Sequence, residues 1–346
     1  MPYSVALNFE DGVTRFVDCR DGETVADASY RAGINIPLDC RDGACGTCKC
    51  RVESGRFDGG SYIEDALTDE EAASGLALAC QMRPHTDLVL AIAASSDLCK
   101  TRGQSFETTL RAVERLSPTS IAFTLDRPAD LAFLPGQYVN LAIPGTDERR
   151  SYSFSSAPAE DALSFLVRDI PHGRMSTWLR ETAAPGAVMT FTGPSGAFYL
   201  REPVRPLLFL AGGTGLAPFL SMLGKLAAQG SAQPAHLVYG VTNDDDLVEV
   251  ARLQDHADRM PGFTFATCVA DPDSAHPRRG YVTAHIEPAH LNGGDVDVYL
   301  CGPPPMVDAV RGWLAAQGVA PVNFYYEKFA PSGAVTAIGE QHRQAA

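Results

Sequence analysis

Cys40, Cys45 and Cys48 stand in the spacing Cys-x4-Cys-x2-Cys, and Cys80 follows 32 positions after Cys48. Deprotonated cysteine is the ligand of iron–sulfur centres, and this spacing with one distant fourth cysteine is the one that holds a 2Fe–2S cluster. Three ligands on one loop must wrap two irons, so the residues between them have to be small. Gly43, Ala44, Gly46 and Thr47 meet that demand and let backbone N–H groups reach the sulfurs. Zinc normally takes two Cys-x2-Cys knuckles, and only one is present. Cys50 falls outside the spacing and reads as a buried strand residue. The chain has nine cysteines, six of them before residue 81. That clustering points to metal rather than to a disulfide framework.

A second set of residues suits a flavin. The run Arg149-Arg-Ser-Tyr-Ser-Phe-Ser-Ser156 puts an arginine, a tyrosine and hydroxyls at strand spacing. Arg150 can meet a phosphate bidentately. The Tyr152 ring can lie against an isoalloxazine, and Ser153 can hydrogen-bond near its reactive nitrogen. Residues 172–179 place Gly173, Met175 and Ser176 at a helix start, where backbone amides bind a diphosphate. Gly193-Pro-Ser-Gly-Ala-Phe198 is a Gly-rich turn that closes this stretch.

A third set suits a dinucleotide. Leu210-Ala-Gly-Gly-Thr-Gly-Leu-Ala-Pro218 puts Gly212, Gly213, Thr214 and Gly215 between a buried strand and a helix. Pro218 falls at the helix start, where its missing N–H costs nothing. Asp244, Asp245 and Asp246 follow the strand predicted at His236–Val241. Carboxylates there accept hydrogen bonds from ribose hydroxyls and repel the extra phosphate of NADP, so NADH is the expected donor. Cys301-Gly-Pro-Pro-Pro-Met306 follows the strand predicted at Val296–Leu300. Three prolines predict an extended turn at the carboxyl end of a parallel strand, where such sheets bind ligands. Trp178, Trp313 and the eight histidines show no ligand spacing and read as structural or solvent-facing.

These residues need three kinds of scaffold. Residues 3–9 alternate apolar and polar, and Asp11-Gly12 and a second run at Thr14–Cys19 predict a hairpin. Thr24 with Asp27 predicts a helix start, Gly33 its end, and residues 87–93 a closing strand. Residues 94–104 are small and polar and read as a linker. Short β-type runs at 106–113, 120–125, 137–143, 151–154, 163–167 and 188–192 predict a small antiparallel barrel or sandwich. From residue 204 strands and helices alternate, which predicts a parallel sheet covered on both faces. The domains are then expected at 1–96, 105–203 and 204–330, with a linker at 97–104 and a C-terminal tail at 331–346.

The 346 residues carry 28 Lys and Arg against 42 Asp and Glu, a net charge of −14. Residues 1–100 hold 9 basic and 17 acidic residues, so the cysteine-rich third is the most acidic. That balance disfavours nucleic acid and anionic membranes as partners and suits a protein with a basic docking patch. No apolar run approaches the roughly 18–20 residues of a membrane span. The N-terminus has no basic start followed by a long apolar core, so a cytoplasmic protein is expected.

The block Asp39-Cys-Arg-Asp-Gly-Ala-Cys-Gly-Thr-Cys48 closely resembles the loop of plant-type ferredoxins. The set around Arg150, Gly173 and Gly193 resembles the FAD domain of the ferredoxin–NADP reductase family. Together the motifs span about 330 of the 346 residues. Their order resembles the reductase components of bacterial aromatic-ring dioxygenases, the benzoate 1,2-dioxygenase reductases above all. The resemblance implies a multidomain chain: an α+β ferredoxin domain of β-grasp fold, an antiparallel β-barrel FAD domain and an α/β parallel-sheet NAD domain. It implies Cys40, Cys45, Cys48 and Cys80 as cluster ligands. It sets Cys301 and Gly302 beside the nicotinamide, and Phe329 over the flavin face. In plant-type members that aromatic ends the chain; here 17 residues follow it, a departure from the pattern.

Implied too is an electron path. NADH gives up two electrons as a hydride, a 2Fe–2S cluster takes one at a time, and FAD does both and so stands between them. The acceptor would be the Rieske centre of an oxygenase component. As classes, plant-type clusters lie near about −400 mV and Rieske centres at roughly −150 mV or above. At about 59 mV per tenfold, that step runs downhill by about four decades. Reductases of multicomponent monooxygenases share the domain order and are the alternative. A redox carrier or sensor with vestigial flavin and nicotinamide sites is another.

Overall fold

The structure, a computed structural model, describes residues 2–38, 41–99 and 104–329. They form two compact units, one drawn mainly from the first 104 residues and one from Ser105–Pro194 and Phe198–Phe329.

In the first unit Tyr3–Phe9 (β1) and Thr14–Cys19 (β2) pair antiparallel around the Asp11-Gly12 turn, where Gly12 takes φ +77°. Helix Val25–Arg31 (α1) starts at Thr24, whose hydroxyl oxygen accepts the Asp27 N–H, and stops short of Gly33 at φ +78°. Lys49–Ser54 (β3), Phe57–Asp58 (β4), the short helix Asp69–Ala73 (α2), Leu76–Leu78 (β5), Arg83–Pro84 (β6) and Leu88–Ile92 (β7) follow. The main sheet runs β2-β1-β7-β3-β5, and β4 pairs with β6. Though last in sequence, β7 is central, parallel to β1 and antiparallel to β3. Its Leu88, Leu90 and Ile92 point into one core with Leu7, Val25 and Ala28. Each such side chain removed from water is worth roughly 1.5–3 kcal/mol, which is why a strand so distant in sequence is drawn to the middle.

The polar stretch that follows does not leave this core at once. Asp11 takes hydrogen bonds from Ser95 and Ser96, the Asn35 N–H donates to the Cys99 carbonyl at 2.7 Å, and Cys99 is buried. The chain therefore stays packed through Cys99, past the expected linker start at 97. Composition misses this because its small residues are held by a carboxylate from the β1–β2 turn, more than 80 positions away in sequence.

The second unit opens with Gln104–Ser117 (β8), Ser120–Asp126 (β9), Tyr138–Ala142 (β10), Arg149–Ser153 (β11), Ala162–Arg168 (β12), helix Arg174–Glu181 (α3) and Val188–Ser195 (β13). The six strands form one sheet, ordered β11-β10-β13-β8-β9-β12. An antiparallel bridge from Phe154 to Phe165 joins its two edge strands and closes it into a barrel. Phe123, Phe154 and Phe165 fill the interior.

Beyond the barrel come Leu207–Gly212 (β14), a 3-10 turn at Gly213–Leu216, Ala217–Gln229 (α4), Ala235–Val241 (β15), Val250–Arg259 (α5), Phe263–Val269 (β16), Pro288–Leu291 (α6), Asp297–Gly302 (β17), Pro304–Ala316 (α7) and Asn323–Lys328 (β18). The sheet is parallel in every pair, ordered β16-β15-β14-β17-β18. α4 packs on one face through Phe219, Leu220 and Leu223, α7 on the other through Val307, Val310 and Leu314. The three prolines do not make an extended turn. Pro303 is the extended N-cap, and Pro304 and Pro305 already open α7, because a first helical turn has no use for the N–H that proline lacks. Among the described residues no helix is long and apolar enough to cross a membrane.

Two histidines of this unit bury Nε2 without a hydrogen-bond partner. His236 stacks on His290 with ring centroids 3.7 Å apart, and His256 lies within α5. Burial, with help from nearby cations, holds both at about 4, against an ordinary 6.5. The unfolded chain therefore binds more protons between pH 6.5 and 4, and stability falls as pH falls through that window. The thermal midpoint is expected to drop from pH 7 to pH 5, and the drop to shrink in His256→Leu. Identical midpoints at the two pH values would contradict this.

Candidate functional site

The cysteine loop lies between α1 and β3. Gly43 (φ +81°) and Gly46 (φ +73°) bend it, and a Cβ on Gly43 would lie 2.5 Å from the Ser61 carbonyl. Here only glycine fits. Cys48 and Cys80 are brought together: the Cys80 N–H donates to Cys48 Sγ at 3.5 Å, and Gln81 Nε2 to Cys80 Sγ at 3.7 Å. The adjacent Cys80 thiol and then burial push the Cys48 thiol far above its ordinary range, and Cys45 acts in the same direction. Sulfurs this close cannot all ionise unless a positive charge sits among them, which is the condition a cluster satisfies. Cys40 lies outside the described residues. Among the described residues no three ligating side chains close on a single point. Cys50 is buried in β3 with its thiol against the Ala77 carbonyl.

The residues expected at the flavin lie along β11 and the start of α3. Tyr152 meets Phe123 edge-on at 6.3 Å, and burial raises its phenol. Arg150 is half-buried and donates to Glu148 Oε2 at 2.7 Å. Gly173 is the N-cap of α3 and supplies no side-chain cap. Met175 is buried in the barrel, and the Ser176 hydroxyl turns inward to the Ile170 and Gly173 carbonyls. Ser176 therefore fixes the loop, and the first-turn N–H groups are what the helix start offers an anion.

The dinucleotide turn lies where β14 and β17 run side by side and their helices leave to opposite faces. That is the switch point at which open parallel sheets take ligands. A Cβ on Gly215 would fall 2.4 Å from the Cys301 carbonyl, and one on Gly212 2.4 Å from Met306 Sδ. Gly302 is pressed against the same sulfur, while Gly213 (φ +55°) faces open space beside Thr214. These contacts leave no side chain between the turn and a ligand.

Cys301 is fully buried, and burial with the nearby Glu327 carboxylate keeps its thiol protonated. Glu327 is its register partner on β18 and accepts from Ser153 Oγ at 3.2 Å. Sequence reasoning missed Glu327. Its signal is its place two residues before Phe329 in the run Tyr326-Glu-Lys-Phe329. The Phe329 N–H donates to the Gly302 carbonyl at 2.9 Å, and its ring packs on the sheet core.

The three aspartates after β15 divide their tasks. Asp244 accepts from Ser274, and Asp246 accepts from Asn243 and from Thr119 on the barrel. Asp245 is exposed. The acidic excess of the cysteine-rich third makes Asp39, Asp42, Glu64, Asp65, Asp69, Glu70 and Glu71 the candidate docking acids; Asp42, Glu64, Asp65, Asp69 and Glu70 are exposed, and Asp39 lies outside the described residues. Glu71 is instead drawn inward by Lys49 at 2.6 Å, with only 14% of its side chain exposed.

Three family models match in the order of these sites: a 2Fe-2S iron-sulfur cluster binding domain over residues 8–85, an oxidoreductase FAD-binding domain over 107–199 and an oxidoreductase NAD-binding domain over 209–312. The toluate 1,2-dioxygenase electron transfer component of Pseudomonas putida is 57% identical over 96% of this chain and 100% of its own length. The 2-halobenzoate 1,2-dioxygenase electron transfer component of Burkholderia cepacia is 54% identical over 96% and 99%. This chain belongs to the family of dioxygenase electron transfer components. Among solved structures, the Amycolatopsis cytochrome P450 reductase is similar at 35% identity and a TM-score of 0.69, over 94% of this chain and 99% of that one. The reductase described here is thus an oxidoreductase with domains for a 2Fe–2S cluster, FAD and NAD.

Because the cluster loop and the flavin residues belong to separate units, the two centres are expected to fail separately. Cys45→Ser should lose or destabilise the cluster and cut cytochrome c reduction sharply, while NADH still bleaches the flavin. Wild-type iron content and electron export in that variant would exclude Cys45 as a ligand.

Proposed function

We propose that this reductase takes a hydride from NADH onto FAD, passes the electrons singly to its 2Fe–2S cluster, and delivers them to a Rieske-type oxygenase component of the benzoate class in the cytoplasm. The observation that carries the reading is the Ser153–Glu327 hydrogen bond next to Cys301. It joins the flavin strand of the barrel to the switch point of the parallel sheet. Full-length likeness to toluate and halobenzoate relatives supports the partner class. Eight free cysteines among the described residues suit a reducing compartment.

FAD, once bound, supplies the exchange between electron pairs and single electrons. The chain's part is to bind and orient. Arg150 and the amides of Gly173–Met175 hold the diphosphate, and Tyr152 gives the ring a flat wall. Ser153, its hydroxyl held by Glu327, faces the reacting edge. Gly212, Gly213, Thr214 and Gly215 admit the nicotinamide dinucleotide, with Cys301, Gly302 and Phe329 lining the nicotinamide end. Cys40, Cys45, Cys48 and Cys80 hold the cluster. Asp244 and Asp246 brace the ribose loop, which leaves Asp245 facing the ribose.

Anaerobic NADH should bleach the yellow flavin absorbance; an unchanged spectrum would favour a carrier with vestigial sites. With carboxylates after β15, kcat/KM for NADH should exceed that for NADPH by at least about tenfold. Equal use of NADPH would refute the ribose reading.

The acidic surface around the cluster loop is the proposed docking face, steered by Asp42, Glu64, Asp65, Asp69 and Glu70. Exposed charges are screened over about 8–10 Å at physiological salt. Transfer to the oxygenase should slow as salt rises, while flavin reduction by NADH changes much less. Transfer that is flat or faster with salt would assign docking to apolar contacts.

A further inference from the structure

Glu148 lies in the turn before β11 and makes two ion pairs at once. Its Oε2 accepts a hydrogen bond from Arg150 Nη2 at 2.7 Å, and its Oε1 pairs with the charge of Arg174, whose Nη1 is also 2.7 Å away. The two arginines come from different elements, β11 and the first position of α3, 24 residues apart. One carboxylate thus holds two guanidiniums side by side at the start of a helix that has no acidic residue in its first turn.

The charge count there is unbalanced. Two guanidiniums face one carboxylate, and the orphan N–H groups of α3 add further positive potential. Glu148 occupies one nitrogen of each arginine. Arg150 spends Nη1 on the Arg149 carbonyl as well. Arg174 is 60% exposed and has only the Glu148 contact among the described residues, so most of its donor fork faces outward. A guanidinium fixed through one nitrogen presents the others in a set direction and loses less rotamer freedom when an anion arrives.

We propose that Arg174 is a second phosphate-binding cation of the flavin site, and that Glu148 is the positioning residue that sets Arg174 and Arg150 to grip the two phosphates of FAD together. The assignment rests on the flavin reading above. Two guanidiniums on one carboxylate beside a helix start suit a diphosphate better than a single phosphate, since each phosphate then meets its own guanidinium.

The test is binding, read apart from turnover. FAD is titrated into flavin-depleted full-length protein, with quenching of flavin fluorescence giving Kd, and riboflavin, which has no phosphate, serves as the control ligand. Arg174→Gln should weaken FAD by about tenfold or more, flatten the salt dependence of Kd, and leave riboflavin binding unchanged. Arg174→Lys should recover part of the loss. Glu148→Gln should weaken FAD severalfold, with a smaller effect in the Arg174→Gln background, because one of the two groups it positions is then gone. Equal thermal midpoints of the flavin-depleted variants would separate these losses from misfolding. Wild-type FAD affinity in Arg174→Gln, or equal losses for FAD and riboflavin, would overturn the proposal. Wild-type protein that fails to bind FAD at all would instead overturn the flavin reading itself.

Discussion

The backbone of the turn after β14 lies against the backbone of the turn after β17, and the chemistry of the second unit depends on that contact. Gly215 has no room for a Cβ over the Cys301 carbonyl, and Gly212 and Gly302 both press on Met306. A methyl group at Gly215 would part the strand ends, and one at Gly212 or Gly302 would push the Met306 side chain aside. With α4 and α7 leaving to opposite faces, the two strand ends open a crevice whose floor is main chain. The barrel brings β11 to this crevice through Ser153 and Glu327. The glycines therefore do more than permit a turn: they set how closely a ligand can approach Cys301.

Electrostatics in both units is organised by carboxylates that are already committed. Glu148 serves two arginines, Asp246 ties the loop after β15 to Thr119, and Glu71 holds Lys49 while capping α2. Charge near a site is thus a poor guide to which charges a ligand will meet. Of three consecutive aspartates, two are bound to neighbours. Lys49, which in sequence interrupts the acidic surface, is neutralised within it.

Much of this was legible in the sequence because the physics was local. Thr24 and Asp27 mark a helix start, Asp11-Gly12 a hairpin, and the cysteine spacing a cluster loop, each within a dozen residues. What stayed hidden depended on partners far away in the chain. Nothing near Glu327 says that it faces Cys301 and Ser153, because that follows from the register of β17 with β18 and the seating of β11. Arg174 and Glu148 are ordinary surface charges until α3 and the β10–β11 turn meet. The three prolines were misread for the opposite reason: taken as a local signal of extension, they sat where a helix begins and tolerates them.

Burial also sorts the thiols by how open they are to attack. Among the described cysteines Cys45 alone is partly exposed; the others, Cys301 included, are buried. A thiol that is buried and held protonated is a weak nucleophile. Oxidants and alkylating reagents should therefore reach Cys45 in the cysteine loop long before Cys301. Chemical ageing of the reductase would then be one-sided: a molecule that has lost its outlet for single electrons keeps an intact inlet for NADH, and its reduced flavin is left to react with whatever small oxidant, dioxygen included, can diffuse to it.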